Sequence, residues 1–159
     1  MTAPPRADVT IVSGGQTGAD RAALDWALAR GRAHGGWCPR GRRAEDGPIP
    51  GRYRLRETAS EDYRERTEGN VRDSDATVIL SLAAELTGGS AFTVELAGVL
   101  GKPWLHCSEE RDGVAGAATA LRELVARHGV RVLNVAGPRA SGAPGIERFV
   151  AAVLEGALG

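Results

Sequence analysis

The residues best placed to do chemistry fall in short segments rich in glycine, hydroxyl groups and arginine. The first is Ser13-Gly14-Gly15-Gln16-Thr17-Gly18-Ala19-Asp20, set between a β-branched run and a helical pattern. Gly14 and Gly15 permit a sharp turn and a close approach of backbone to ligand. Thr17 can cap the helix that follows, whose free N–H groups and dipole favour an anion. Asp20, three residues on, completes a T-x-x-D capping box, which puts a carboxylate on that same helix end. The segment is neither GxGxxG nor a Walker loop with its lysine, so it specifies neither a dinucleotide nor a triphosphate. Spacing alone leaves a phosphate loop and a capped turn equally open.

A second glycine pair, in Thr87-Gly88-Gly89-Ser90, precedes another helical stretch, where Ser90 or Thr93 can donate to phosphate oxygens. Glu95 lies one turn into that helix, as an acid/base group or as a carboxylate stabilised by the helix dipole. Arg139 and Ser141 follow Gly137-Pro138, a turn that would hold a guanidinium fork toward an oxyanion. Arg40, Arg42 and Arg43 offer the same chemistry, against a default of a solvated basic loop. Metal chemistry finds no support. His106 and Cys107 are strand neighbours that point to opposite faces, and His34 and His128 have no ligand-spaced partners. No Ser-His-Asp or Cys-His pattern is present, and no catalytic metal is expected.

The elements that must position these groups alternate. Strands are expected at 8–13, 34–38, 53–57, 76–83, 103–107 and 130–136, and helices at 18–30, 60–74, 92–100, 113–128 and 145–158. The continuous apolar run ATVILSLA is the kind buried on both faces in a parallel sheet. This order predicts an α/β, Rossmann-like, doubly wound and mostly parallel sheet with helices on both faces. A single domain over 1–159 is expected, with 1–7 flexible. Ligands of such sheets bind at the carboxyl ends of the strands, where the glycine-rich and arginine-bearing loops would meet. Tyr63, Arg66, Thr67, Asn70 and Ser74 form a polar stripe on the 60–74 helix, which matters only if that helix flanks the same edge.

The totals narrow the setting. A formal net charge of zero argues against nucleic-acid coating or membrane-surface binding. All but one of the 20 basic residues are arginine, Lys102 being the exception, which suits oxyanion forks and equally a genome rich in arginine codons. The 2 cysteines, Cys38 and Cys107, are too few for a disulfide framework and read as reduced thiols. MTAPPRAD has no apolar core, so secretion is not expected, and no apolar run is long enough for a membrane span. A cytoplasmic setting follows. Trp26 is either an oligomer contact or core.

Five segments, SGGQTGADRAALDWA, GWCPRGRRAEDGPIPGRYRLRET, YRERTEGNVRDSDATVIL, TGGSAFTVELAGVLGKP and NVAGPRASGAPGI, run in order across Val9 to Ile146. Together they resemble the molybdenum cofactor carrier protein family, part of a Rossmann-like group that includes the lysine-decarboxylase-like phosphoribohydrolases and DNA-processing proteins. The resemblance implies a homo-oligomer, typically a tetramer. Such an assembly holds the molybdenum cofactor (molybdopterin), molybdate or a related nucleotide, with molybdoenzymes as acceptors and no reaction required. By that resemblance, Gly14, Gly15, Gln16, Thr17, Gly18, Arg40, Thr87, Gly88, Gly89, Ser90, Thr93, Arg139 and Ser141 are the ligand-binding set. The phosphoribohydrolase relatives carry a PGGxGTxxE loop, whose glutamate supports cleavage of a nucleotide N-glycosidic bond. Glu95 sits at the matching distance here, but Thr87 replaces the proline and the third glycine is missing. A hydrolase is therefore the alternative, with Glu95 as its catalytic residue.

Overall fold

The computed structural model describes residues 8–159, so the expectation of a flexible 1–7 lies outside the described residues. Five strands form one wholly parallel sheet: β1 (Thr10–Val12), β2 (His34–Gly35), β7 (Ala76–Ser81), β8 (Trp104–Ser108) and β9 (Val132–Ala136). Their order across the sheet is β2-β1-β9-β7-β8, so the last strand in the chain lies at the centre. All six residues of β7 are buried, as the unbroken apolar run requires.

Five helices cover the sheet: α1 (Ala19–Ala29), α2 (Tyr63–Arg72), α3 (Gly88–Val99), α4 (Glu109–His128) and α5 (Ile146–Leu158). α1, α4 and α5 pack together over one face, while α2 and α3 pack together over the other. Ile146, Phe149, Val150, Val153, Leu154 and Ala157 recur at helical spacing on α5 and are buried, which makes α5 the apolar wedge of the larger core. Trp26 belongs to this core, with its indole N–H donating to Glu155 at 3.0 Å. It is core, not a surface contact. A smaller core of Leu24, Cys38, Ala44, Ile49 and Tyr53 sits beneath the 39–55 segment.

That segment departs from the expected solvated loop. Its short strands are β3 (Trp37–Cys38), β4 (Arg43–Ala44), β5 (Gly47–Pro48) and β6 (Arg56–Glu57). β3 pairs with β6, and β4 and β5 form a hairpin with Glu45 and Asp46 at its tip. Arg42 is structural, its guanidinium donating to the carbonyls of Ile49, Pro50 and Tyr53 at 3.0, 2.8 and 2.8 Å. The strand expected at 34–38 is two strands in two sheets. Gly36 breaks it with φ +127°, and a side chain there would collide with the Ser13 carbonyl. The helix expected from 92 begins at Gly88, so the second glycine pair forms the first turn of α3 rather than a loop before it. The other boundaries fall within a few residues of expectation, apart from α4, which starts at Glu109 and breaks at Gly113.

Candidate functional site

A cavity of about 550 Å³ opens at the carboxyl edge of the sheet, over the ends of β1, β9 and β7. This is where chain connections diverge. From β1 the chain runs to β2 on one side, and from β7 to β8 on the other, which leaves a crevice between them. Gly14, Gln16 and Asp20 form one wall, and Thr87, Gly88, Gly89, Ser90, Phe92 and Thr93 the opposite one. The floor is Asn134 to Arg139, at the end of β9. α2 closes the remaining side with Tyr63, Arg66, Thr67 and Asn70. The polar stripe of that helix therefore does flank the edge.

Three arginines from separate elements meet at Tyr63, and two of them, Arg66 and Arg139, line the cavity together with Arg64, Asp20 and Asp62. Arg43 from β4, Arg66 from α2 and Arg139 from the turn after β9 hold their guanidinium carbons 5.4, 5.2 and 5.5 Å from the Tyr63 ring centre. The electron-rich ring attracts each of these cations. Arg66 is the most buried of the three cavity-lining arginines, and its Nη1 donates to the Gly14 carbonyl at 2.9 Å. The same atom lies 3.6 Å from an oxygen of Asp20. Asp20 is only 6% exposed, and burial raises its carboxyl above the ordinary range against the opposing pull of Arg66 and two backbone donors.

The opposite wall supplies donors of another kind. No side chain caps the N-terminus of α3, so its first N–H groups and dipole face the crevice with Gly88 and Gly89 uncovered. Ser90 has no hydrogen bond to its hydroxyl among the described residues, whereas Thr93 spends its own on the Gly89 carbonyl at 2.9 Å. The donor set is N–H, O–H and guanidinium, suited to phosphate or oxo oxygens. Thiolate ligation is not on offer. Cys38 and Cys107 are buried, and burial pushes the Cys107 thiol up to about 11. Among the described residues no group of His, Cys, Asp and Glu could hold a metal ion directly.

The first loop differs from its expected role. The helix cap is Gly18, not Thr17, and no capping box forms. The loop's N–H groups are largely taken within the protein. Gln16 N donates to Asp20 at 3.3 Å, Thr17 N to the Gln16 side chain at 3.1 Å, and Ala19 N to the Pro138 carbonyl at 3.2 Å. Gly15 and Gly18 serve packing. A side chain on Gly15 would strike Leu55 and Ile49, and one on Gly18 the backbone of Pro138 to Ala140.

Of the expected ligand residues, Gly14, Gln16, Thr87, Gly88, Gly89, Ser90, Thr93 and Arg139 line the cavity, while Gly15, Thr17, Gly18, Arg40 and Ser141 do not. Arg40 is exposed and lies 3.6 Å from Glu61. Thr17 and Ser141 are held instead by Glu45. Its carboxylate accepts from the Thr17 hydroxyl, from Ser141 Oγ at 2.6 Å and from Ser141 N at 3.2 Å. These bonds hold Glu45 below the usual carboxylate range. Glu95 is exposed on α3 and is not among the cavity-lining residues. Sequence reasoning missed Glu45 and Asp20's pairing with Arg66, and it left Arg66 and Tyr63 conditional. The one available signal was the stripe on α2.

Comparison with known proteins agrees with this architecture. The model of the circularly permutated YpsA SLOG family matches residues 11–158. A crystal structure of a candidate molybdenum carrier protein from Syntrophus aciditrophicus SB superposes with a TM-score of 0.95 at 46% identity, covering 98% of each chain. No curated protein matches. With its sheet order, its glycine-lined crevice and a family match over nearly its whole length, the chain belongs to the circularly permutated YpsA SLOG family.

Proposed function

We propose that this protein is a carrier that holds an oxyanion-bearing ligand in the crevice and performs no chemistry on it. The ligand is the molybdenum cofactor, gripped through its phosphate, or molybdate itself, and a related nucleotide fits the same donors. The observation that carries this reading is the meeting of Arg43, Arg66 and Arg139 around Tyr63, opposite the uncapped start of α3. The name of the 46%-identical relative supports the molybdenum assignment. The chain supplies N–H and O–H donors to ligand oxygens, so the metal would keep its own oxo and sulfur ligands. Delivery to molybdoenzymes, a cytoplasmic setting and a homo-oligomer, typically tetrameric, complete the proposal. Among the described residues, no helix is long and apolar enough to cross a membrane.

The test is calorimetric titration with molybdate, with molybdopterin-loaded extract fractions and with nucleoside 5′-monophosphates, paired with an assay for free base. Saturable binding without turnover supports the carrier. Release of base from a nucleotide, lost in Glu95→Gln, overturns it in favour of the hydrolase.

A further inference from the structure

Gln16 stands in the cavity wall, only 5% exposed. Two backbone donors fix the orientation of its amide. Oε1 accepts from Thr17 N at 3.1 Å and from Glu45 N at 2.9 Å. A flipped amide would point its NH2 group at two N–H donors, so the nitrogen must be the other end. That nitrogen, Nε2, is the one buried side-chain nitrogen or oxygen among the described residues with no hydrogen-bond partner. Folded proteins seldom leave a buried donor unfilled.

Two acceptors of the same cavity wall are already engaged. The Asp20 oxygen that takes the Gln16 N–H also faces Arg66 at 3.6 Å, and the Gly14 carbonyl accepts from Arg66 Nη1. An acceptor for Nε2 must then come from the cavity. Resting on the reading of the crevice as an anion site, we infer that Gln16 is a ligand-reading residue whose Nε2 donates to an oxygen of the bound molecule. Gln16 and Arg66 both line the cavity beside Asp20, whose oxygen accepts from the Gln16 backbone N–H and lies 3.6 Å from Arg66 Nη1. The oxygen that Nε2 reads belongs to a phosphomonoester or a molybdate-type oxyanion.

Gln16→Glu separates the two ends of the side chain. One carboxylate oxygen replaces Oε1 and still accepts from Thr17 N and Glu45 N, while the other replaces the donor with an acceptor. The variant and the wild type, as intact chains, are titrated with sodium molybdate, inorganic phosphate and GMP, and their thermal unfolding is followed without ligand. The expected result is affinity lowered about 10- to 100-fold, as for loss of a hydrogen bond to a charged group, with a lower ligand-free melting temperature from the buried carboxylate beside Asp20. A side-chain amide resonance that disappears in Gln16→Glu and shifts when wild type is saturated with phosphate gives a second readout. Unchanged affinity in Gln16→Glu, or a Gln16 amide signal that ignores ligand, overturns this inference and leaves the anion site standing. Wild type that binds none of the three probes overturns both.

Discussion

At the scale of single residues, the crevice separates groups that hold the fold from groups left for a ligand. Arg139 is about half exposed, and its one ion-pair partner among the described residues, Glu45, lies 4.0 Å away. Arg139→Ala is therefore expected to weaken molybdate or nucleotide binding in calorimetry with almost no change in the ligand-free melting temperature. Arg66→Ala should lower both, because it strips the partner from a buried carboxylate, at a cost on the order of 3 kcal/mol. Asp20 makes a prediction with a definite sign. Burial raises its carboxyl in the fold, so the native state binds that proton more tightly than the unfolded chain. Stability of the wild type then falls as pH rises from about 3.9, the unfolded value, through the raised native value. In Asp20→Asn this loss is absent, so the melting temperature of the variant minus that of wild type should climb between pH 4 and pH 7. A difference that falls with pH would contradict the buried, raised carboxyl. Arginine and glycine types were legible in the sequence. Which arginine would be buried against an aspartate was not, because that depends on the approach of α2 to the first loop.

At the scale of elements, backbone contacts decide what the glycines do. Gly18 has φ +83°, and a Cβ there would lie 2.5 Å from the Pro138 carbonyl oxygen and 2.6 Å from Ala140 N. Gly18→Ala should thus separate the first loop from the 137–142 turn and cost about 2 kcal/mol or more by chemical denaturation. Gly88, at φ +56° with open space around it, has no such neighbour. The hairpin tip behaves as a clasp. Arg21 holds Asp46 at 2.7 Å while Glu45 holds Thr17 and Ser141, so the tip joins the first loop to the turn that carries Arg139. Limited proteolysis should cut Glu45→Ala faster than wild type within 39–55, and equal rates would show that the clasp does not restrain the segment. The sequence showed this segment only as a run of helix and strand breakers. Its order comes from Arg42 satisfying three carbonyls at once and from a small core under it, neither of which has a periodicity to read.

For the whole molecule, most of the large exposed apolar side chains lie away from the crevice, with Leu28 apart from them on α1. Val99 is 82% and Trp104 44% exposed, at the end of α3 and on β8, whose outer edge has no neighbour in the sheet among the described residues. In the proposed homo-oligomer this face is the natural contact, since a bare strand edge and large apolar groups favour association. Val99→Asp combined with Trp104→Ser should shift sedimentation toward a smaller species without loss of the folded circular dichroism. An unchanged mass would place the contact elsewhere. The sequence by itself determined the alternation of strands and helices, the wholly buried β7, the amphipathic α5 and the edge at which glycine loops gather. Those features are periodic or local, so hydrophobic pattern and turn chemistry specify them. Only the tertiary structure decided that Trp26 is core, that the first loop spends its N–H groups on the protein, and that Glu45 engages Thr17 and Ser141. It alone brought Arg66, Arg139 and Tyr63 together. Each of these is a contact between segments far apart in the chain, and its geometry exists only once the helices have docked on the sheet.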